Sequence, residues 1–463
     1  MNAIKRRDFL KAGGAAALLC GLPGCMTGRT ASASGTKWQK GMLHCHTYWS
    51  DGRGFPEDAA AAYKALGYNF ISITDHNRVG ASEYWREVKP EDGPWPPNVS
   101  QAIFDHYVST FHHAKTRVTN GKTEVRIQPI AETCRMFSED GKYLIMPGVE
   151  ITRDMPIPEV RLKRALHTNI VNLPEPIPSV VGQPLISKRH NLSVKEMLAA
   201  DFAEYRALAA KHPSMPSMFM LNHPHWPALD VIAADLASIP ELRFFEVCNN
   251  GAELFKEGAL VDDGWRNDRI WDMANAMRAR AGMPLIFGVG TDDAHWYPGN
   301  GTAVLARAAG TPGDAYVRVA ADELSPASIF SAMYTGNFHA SSGVDPDAVD
   351  FDGNTLSVSV PAKPGVSYAV RFIVTKRDFS ATPSKVLPIK FARFDRNEEL
   401  LGEGVGVTAA LIRGGSGEAV SAAYTLKSDD LYVRARIESD EPSFVKAHFH
   451  PTIKCAWTQP YMA

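Results

Sequence analysis

The sequence lacks a large excess of charge of either sign and, after its first two dozen residues, any long apolar run. Its 463 residues carry 49 Lys plus Arg against 51 Asp plus Glu, a formal net charge of -2 at pH 7. This balance excludes the strongly basic surface of a dedicated nucleic-acid binder, so no nucleic-acid partner is expected. No stretch after the leader approaches the roughly 20 apolar residues that a transmembrane helix requires.

Cysteine is also scarce, with six residues in the chain. Cys20 and Cys25 lie in the N-terminal leader, and the other four are scattered without paired spacing. This distribution excludes a disulfide framework and a zinc knuckle. Cys45 and Cys248 stand in apolar, strand-like runs, so we expect them to be small buried side chains.

The N-terminus has a basic segment followed by a uniform apolar run. Arg6 and Arg7 precede Phe9 and Leu10, and small residues and leucines fill 12–22. This order resembles a twin-arginine export signal, so we expect a periplasmic or otherwise extracytoplasmic protein.

Two ways of processing this leader remain open. Leu22–Cys25 resembles a lipoprotein box, which would attach a lipid anchor at Cys25, although Pro23 is unusual there. Ala31–Ala33 offers an ordinary small-x-small cleavage site instead. Both alternatives assign residues 1–35 to the export signal and a linker.

Residues 36–343 alternate apolar strand-like runs with helical segments, which predicts an α/β fold with parallel crossovers. Most of these strands end in a polar residue at the carboxyl end, where barrel-type α/β enzymes build their active sites. One strand instead carries His167 near its start, which favours an antiparallel strand that brings His167 to the same end as Glu150. The first of the seven predicted strands begins near Gly41. The other six cover 68–76, 143–151, 165–173, 218–223, 244–249 and 285–295.

Two further segments flank this pattern. Residues 79–140 are long for a connection, so we interpret them as an insertion with two or three helical pieces over one rim of the site. Residues 344–463 consist of short alternating runs separated by turn residues, which predicts a small β-sandwich domain.

The strand ends supply many potential metal ligands. Residues two apart in a strand point the same way, so His44 and His46 share a face. A Ser-Asp-Gly turn can direct Asp51 back over the end of that strand. Imidazoles and carboxylates without thiolates favour Zn, Mn or Fe(II), and their number predicts two or three divalent transition metal ions. The candidate ligands are His44, His46, Asp51, His76, Glu150, His167, His223, Asp293 and His295.

Four motifs within 40–343 resemble those of the polymerase and histidinol phosphatase (PHP) superfamily of metal-dependent phosphoesterases. The resemblance implies a distorted seven-stranded (β/α) barrel, which agrees with the strand count, and hydrolysis of a small phosphoester by a metal-bridged hydroxide. Departures are the long insertion, the doublet Asp292-Asp293 and the added β-domain. The motifs are His44-Cys45-His46 with Ser50-Asp51-Gly52, Ile73-Thr74-Asp75-His76-Asn77, Gly148-Val149-Glu150-Ile151 with His167, and Asp293-Ala294-His295.

The resemblance also implies roles for the candidate ligands. Glu150 would bridge two ions, and a third ion would lie on the leaving-group side. The Asp-x-His spacing places Asp292 outside the ligand set. The implied sets are His44, His46, Glu150 and Asp293 for one ion, Glu150, His167 and His223 for a second, and Asp51, His76 and His295 for a third.

Arg53, Arg78 and Arg153 each follow a candidate ligand by one to three residues. They are candidates to clamp phosphate oxygens, with solvated loop arginines as the alternative.

Three functions are compatible with these observations. The first is a metal-dependent hydrolase acting on a small phosphoester. The second is an amide or carbamate hydrolase on the same metal centre, since an activated water also attacks carbonyl carbon. The third, of another class, is an exported binding protein that acts through its β-domain, for which the barrel would be a relic. A complete ligand set favours an enzyme.

Overall fold

The computed structural model describes most of the chain. The described residues are 30–31, 37–91, 93, 97–157, 162–175, 177, 187–188, 192–224, 231–251, 266–301, 310–382, 386–391, 394–399, 401–443 and 453–463. The twin-arginine pair Arg6 and Arg7 and the candidate lipid-anchor residue Cys25 lie outside them. Export, lipidation and the division into domains therefore stay predictions.

The described part of the chain contains seven α-helices and 25 strands. The helices are α1 (Pro56–Ala65), α2 (Gln101–Thr110), α3 (Ile130–Phe137), α4 (Val194–Ala209), α5 (Ala233–Ala237), α6 (Arg266–Arg280) and α7 (Pro326–Tyr334). The strands up to the end of the α/β part are β1 (Thr30–Ala31), β2 (Trp38–Met42), β3 (Phe70–Ile73), β4 (Tyr84–Lys89), β5 (Val99–Ser100), β6 (Thr116–Thr119), β7 (Lys122–Ile127), β8 (Leu144–Ile157), β9 (Leu162–Val171), β10 (Ser187–Lys188), β11 (Met218–Leu221), β12 (Phe244–Asn249), β13 (Phe287–Thr291), β14 (Tyr316–Ala320) and β15 (Phe338–Ser341). The remaining strands are β16 (Ala348–Phe351), β17 (Thr355–Val360), β18 (Tyr368–Lys376), β19 (Val386–Phe391), β20 (Phe394–Glu399), β21 (Val407–Arg413), β22 (Val420–Thr425), β23 (Asp430–Pro442), β24 (Ile453–Thr458) and β25 (Tyr461–Met462).

Local sequence signals explain where several helices begin. Pro56 occupies the first turn of α1, where its missing N–H costs no hydrogen bond, and Asp58 accepts a hydrogen bond from the backbone N–H preceding the helix. Ser193 and Glu196 form the reciprocal capping box of α4. These signals fix helix starts independently of tertiary packing.

The seven predicted strands are present, and they lie next to one another in chain order as β2, β3, β8, β9, β11, β12 and β13. The β2–β3, β3–β8, β11–β12 and β12–β13 pairs are parallel. The predicted antiparallel pairing of β9 with β8 is confirmed, with Glu150 opposite Asn169 and Thr152 opposite His167. This pairing brings Glu150 and His167 next to each other on two strands that run in opposite directions.

The predicted distorted seven-stranded barrel is not confirmed. In the part of the chain that the structure describes, these strands belong to an open 15-stranded sheet. The outer edge of β2 pairs antiparallel with β14, with Gly41 opposite Val317, so its backbone groups are not available to β13. Two isolated parallel bridges, Cys45 with Ala294 and Arg53 with Trp296, join the segments that follow β2 and β13. The strand ends therefore meet without a ladder that closes the sheet.

The C-terminal part is built of strands, as predicted, but not as a separate sheet system. Strands β24, β23, β18 and β21 continue the large sheet beyond β15, with His339 opposite Thr458. A second sheet, β1-β16-β17-β22, shares one apolar core with them, including Leu356, Phe372 and Val433. The large sheet thus runs across the predicted boundary at residue 343.

The insertion contains α2 and α3, in agreement with the predicted helical pieces, but also a four-stranded sheet of order β5-β4-β7-β6. Its β6–β7 hairpin turns at Asn120 and Gly121, whose φ angles are 51° and 74°. Both angles suit an Asn-Gly hairpin turn, a signal that could have predicted these strands.

A buried charge cluster fastens α6 to the C-terminal strands. Arg434 Nη2 lies 2.6 Å from Asp272 Oδ2 and 2.9 Å from Asp268 Oδ1. The indole of Trp457 donates to Asp268 at 3.1 Å. These contacts hold the helix between β12 and β13 against β23 and β24. Among the described residues, no helix combines the length and apolar character needed to cross a membrane.

His339 on β15 is fully buried, and neither ring nitrogen has a hydrogen-bond partner within the described residues. The edge of its ring faces Trp38, with 4.8 Å between the ring centroids. Burial, together with the positive charge of Arg318, lowers the pKa of His339 from 6.5 to about 3. The folded protein therefore holds this imidazole neutral over a range in which the unfolded chain protonates it.

We predict that His339 contributes to acid destabilisation. Below pH 6.5 the His339 imidazole binds a proton in the unfolded state but stays neutral in the folded state. The free energy of unfolding therefore falls as the pH is lowered towards about 3. The contribution is about 1.4 kcal/mol per pH unit. Urea unfolding of His339→Leu with chelator present should show a shallower acid slope than wild type. His112→Leu, at an exposed position, is the control, and equal slopes for all three proteins would contradict the assignment.

Candidate metal centre

The nine candidate ligands all lie at one edge of the large sheet. His44 and His46 follow β2, His76 follows β3, and Asp51 lies in the turn beyond His46. Glu150 and His167 lie within the antiparallel pair β8–β9. His223 follows β11, and Asp293 and His295 follow β13. Strand order therefore collects groups that are up to about 250 residues apart in the chain.

These side chains form four overlapping groups whose potential ligand atoms lie within 4.8 Å of one another. Every predicted metal ligand belongs to at least one group. The groups are His46, Asp51, His76 and His295; His44, His46 and Glu150; His44, His223 and Asp293; and His76, Glu150 and His167.

Glu150 lies at the centre of the cluster. Its Oε1 is 3.3 Å from His44 Nε2 and 3.0 Å from His167 Nδ1. Its Oε2 is 2.7 Å from His76 Nδ1 and 3.4 Å from His46 Nε2. Both oxygens of one carboxylate therefore face imidazoles from two sides, the arrangement of a carboxylate shared between neighbouring sites.

Asp293 and Asp51 occupy the two flanks. Asp293 Oδ1 lies 3.0 Å from His46 Nε2 and 3.3 Å from His44 Nε2. Asp51 lies 3.4 Å from His295 Nε2 and 3.5 Å from His76 Nε2. The side chain of Asp293 is 2% exposed and that of Asp51 is 12% exposed, so the Asp51 flank is the one that solvent reaches.

Burial and mutual charge set the protonation of the cluster. Burial alone would raise the pKa of Glu150, but neighbouring imidazoles, led by His76 and His44, hold it well below its usual value. Burial would lower the pKa of His44, yet the Asp293 and Glu150 carboxylates raise it well above the usual value. Burial and the positive charges of His295 and His76 lower the pKa of His46 to about 3. The cluster thus keeps its carboxylates ionised and one central imidazole neutral.

The residues present fit divalent transition metal ions. Glu150 Oε2 and Asp293 Oδ1 are buried oxygens that no hydrogen-bond donor of the described residues reaches with suitable alignment. The Nε2 atoms of His44 and His46 face each other at 3.1 Å. Convergent nitrogen and carboxylate oxygen atoms without thiolates form the donor set of Zn, Mn or Fe(II) sites. A cation among them would satisfy atoms that the protein alone leaves without aligned donors.

Backbone strain is concentrated at the same edge. Asp293 and Asn77 have positive φ angles of 50° and 52°, and His223 has φ of 22°. Such conformations cost of order 1–3 kcal/mol each for residues other than glycine and persist where the surroundings fix them. Gly251 leaves room for this geometry, since a Cβ there would lie 2.6 Å from an Asp293 carboxylate oxygen. The fold holds two candidate ligands, and the residue that follows a third, at a conformational cost.

Glu246 is a functional residue that the sequence interpretation missed. Its Oε1 lies 2.7 Å from His44 Nδ1 and accepts a hydrogen bond from Thr291 Oγ1 at 2.6 Å. Its Oε2 accepts a hydrogen bond from the backbone N–H of His223 at 2.7 Å. It therefore fixes the ring of one candidate ligand and the backbone of another. The signal was a carboxylate in the middle of the apolar run 244–249.

Asp75 is a second missed residue. It accepts hydrogen bonds from the backbone N–H and the hydroxyl of Thr47, both at 2.7 Å, and from Ser50 Oγ at 2.6 Å. It thus anchors the loop between His46 and Asp51 to the end of β3. The signal was its place directly before His76 in a strand-end motif.

The three arginines have different surroundings. Arg153 is buried and pairs with Asp201 at 2.7 Å, so its guanidinium is engaged with α4. Arg53 lies over the ring of Trp296, 5.8 Å from its centroid, and Arg78 lies 4.9 Å from the ring centroid of Tyr84. Both are partly exposed. Arg53 and Arg78 therefore remain the candidates for substrate contact.

Asp292, the neighbour of Asp293, does not belong to any of the four groups. Its carboxylate accepts hydrogen bonds from the backbone N–H groups of Gly313, Asp314 and Ala315 at 2.7–2.9 Å. Burial raises the pKa of Asp292 to about 7. It holds the segment before β14, as expected for a residue outside the ligand set.

No protein-family model matches the chain, and a search of curated proteins finds no match. Several solved structures are similar to it, including the following two. One is a two-domain protein from Bacteroides vulgatus ATCC 8482 containing a predicted PHP-like metal-dependent phosphoesterase, with 14% identity, coverage of 93% of this chain and 96% of that chain, and a TM-score of 0.38. The other, from Bifidobacterium adolescentis ATCC 15703 and assigned as a metal-dependent phosphoesterase, has 14% identity, covers 60% of this chain and 94% of that chain, and has a TM-score of 0.27.

We predict that Glu246→Gln weakens metal binding without removing a candidate ligand. Loss of the negative charge beside His44 should lower the affinity about 10- to 100-fold, as is typical for groups that orient metal-bound histidines. Competition with a chromophoric chelator measures this for Zn²⁺ and Mn²⁺. Glu241→Gln, at an exposed position, is the matched control. An affinity equal to wild type in a folded Glu246→Gln protein would refute this role.

Proposed function

We propose that the protein is a metal-dependent hydrolase, and specifically a phosphoesterase acting on a small phosphoester. The observation that carries the proposal is the convergence of three carboxylates and six imidazoles at one sheet edge. Scattered structural histidines would not be expected to meet in this way, because most side-chain hydrogen bonds go to backbone groups or water and not to other side chains. The four PHP-like sequence motifs support the same proposal.

In this proposal, two or three divalent ions share the four groups, with Glu150 common to two of them. His44, His46 and Asp293 would complete one site, and His167 and His223 would complete its neighbour. Glu150 belongs to two of the four groups, which supports its shared role. When bound, the ions would supply Lewis acidity and lower the pKa of a water nucleophile.

The remaining residues would bind and orient the substrate. Asp51, His76 and His295 form the solvent-facing flank, each with a side chain 10–12% exposed, so the substrate would approach there. Arg53 and Arg78 each follow a residue of this flank by two positions. Their guanidinium groups would contact the peripheral phosphate oxygens, for which bidentate arginine contacts are well suited.

Neighbouring side chains would also orient the candidate ligands His76 and Glu150. Thr152 Oγ1 lies 2.6 Å from His76 Nδ1, and Asn222 donates to Glu150 at 2.8 Å. These contacts fix the orientation of both side chains before substrate arrives. The burial of Glu150 and Asp293 would exclude bulk water from the inner side, which strengthens charge interactions there. No Gly-x-Ser-x-Gly sequence offers a serine nucleophile as an alternative.

We predict that Glu150→Ala loses more than one bound ion per chain, whereas Asp51→Ala loses mainly one. Removing a shared carboxylate leaves neighbouring cations close together with less negative charge between them. Elemental analysis of the purified variants tests this, with Glu323→Ala at an exposed position as the control. Metal content in Glu150→Ala equal to wild type would contradict the shared role.

We also predict that His76→Ala impairs hydrolysis of alkyl phosphoesters with poor leaving groups far more than that of activated aryl phosphoesters. The leaving oxygen of a poor leaving group develops more charge, and His76 belongs to the flank that would stabilise it. The measurement is kcat/KM for both substrate types. In water labelled with oxygen-18, the label should enter the released phosphate. Label in the alcohol, or turnover of aryl carbamates with no phosphoester cleaved, would overturn the proposal.

A further inference from the structure

Arg86 of the insertion lies against the loop that carries Asp51. It belongs to β4, and only 6% of its surface is exposed. Its guanidinium donates hydrogen bonds to three backbone carbonyls: that of Tyr48 at 2.6 Å, and those of Ser50 and Pro97. Two of these three acceptors lie in the five-residue segment 47–51, which ends in Asp51.

The opposite side of segment 47–51 is held by Asp75. That carboxylate accepts hydrogen bonds from Thr47 N–H, Thr47 Oγ1 and Ser50 Oγ. Three donor groups of Thr47 and Ser50 thus go to the residue two positions after β3, and the carbonyls of Tyr48 and Ser50 go to the insertion. Both faces of a short loop are satisfied by charged, buried side chains of two different elements.

Arginine suits this position for a physical reason. A planar guanidinium offers five N–H donors in a fixed fork, so one side chain can satisfy several carbonyls that point in different directions. The rings of Tyr84 and Tyr48, at 5.3 and 5.7 Å from the guanidinium carbon, add favourable cation–π contacts. A methionine would fill similar space but would leave the carbonyls of Tyr48 and Ser50 without these donors.

The loop must be placed accurately because Asp51 faces several partners. Its carboxylate lies 3.4–3.8 Å from ring nitrogens of His46, His76 and His295. Asp51 comes directly after Ser50, whose carbonyl accepts from Arg86. A displacement of the segment would therefore change the distances from Asp51 to all three imidazoles at once.

We propose that Arg86 is a positioning residue of the metal centre, through which the inserted segment fixes the Thr47–Asp51 loop and holds Asp51 in the solvent-facing group. The part concerning metal rests on the proposed function, whereas the part concerning the loop does not. The insertion is then a structural component of the site. Arg86 acts through the loop backbone and need not touch substrate.

The first test is hydrogen exchange in the metal-free protein. In Arg86→Met, the amides of Tyr48, Ser50 and Arg53, which donate to loop and neighbouring carbonyls, should exchange about 10-fold faster or more. Strands β6 and β7 should keep their protection, which shows that the insertion still folds. The matched control is Arg126→Met, because Arg126 is a buried arginine of the same small sheet that pairs with Glu132 instead.

The second test is metal content. Arg86→Met should lose about one ion per chain while Arg126→Met keeps the wild-type number, and Arg86→Lys, which retains a single cationic donor group, should restore part of the loss. The positioning role would be overturned if the amide exchange rates of residues 47–53 were unchanged in Arg86→Met. It would also be overturned if Arg126→Met accelerated exchange in this segment as much as Arg86→Met does. If wild type binds no metal while loop exchange still responds to Arg86, the proposed function fails and the role of Arg86 in fixing the loop stands.

Discussion

The charge of Glu150 is the constraint on which the rest of the site depends. A fully buried carboxylate is costly unless nearby positive charge and hydrogen bonds compensate it, and here imidazoles approach both of its oxygens. The same geometry that compensates Glu150 also brings ring nitrogens and carboxylate oxygens to common points. A site built in this way favours cations in its interior. The strained backbone at Asp293 places a second buried carboxylate beside the same imidazoles.

The open sheet explains how such a site is assembled. An antiparallel β9 placed among parallel strands brings His167 to the edge where the parallel strands end. Pairing of β14 with β2 leaves the sheet open and continues it into the C-terminal strands. The C-terminal part is therefore joined by hydrogen bonds to the sheet that carries the candidate metal ligands, and the Arg434 cluster adds a second, ionic link to α6.

Much of this arrangement was predictable from local patterns. Short stretches of sequence predict the seven strands, the start and end of α1 and the polar residues at the strand ends. The nine candidate ligands could therefore be named in advance. Barrel closure could not be predicted, because it depends on whether β14 or β13 pairs with β2, a competition between residues about 250 positions apart. Glu246 and Arg86 were missed for the same reason, since their partners lie far away in the chain.

The central claim is that the carboxylate of Glu150 lies between divalent cations. Anomalous X-ray diffraction from crystals grown with Mn²⁺ or Zn²⁺ tests it most directly, because the metal positions appear without reference to activity. The account predicts anomalous peaks on both sides of the Glu150 carboxylate, each about 2.0–2.2 Å from a carboxylate oxygen and within coordination distance of the neighbouring imidazoles. Well-ordered Glu150, His44 and His167 side chains with no peak beside the carboxylate would contradict it.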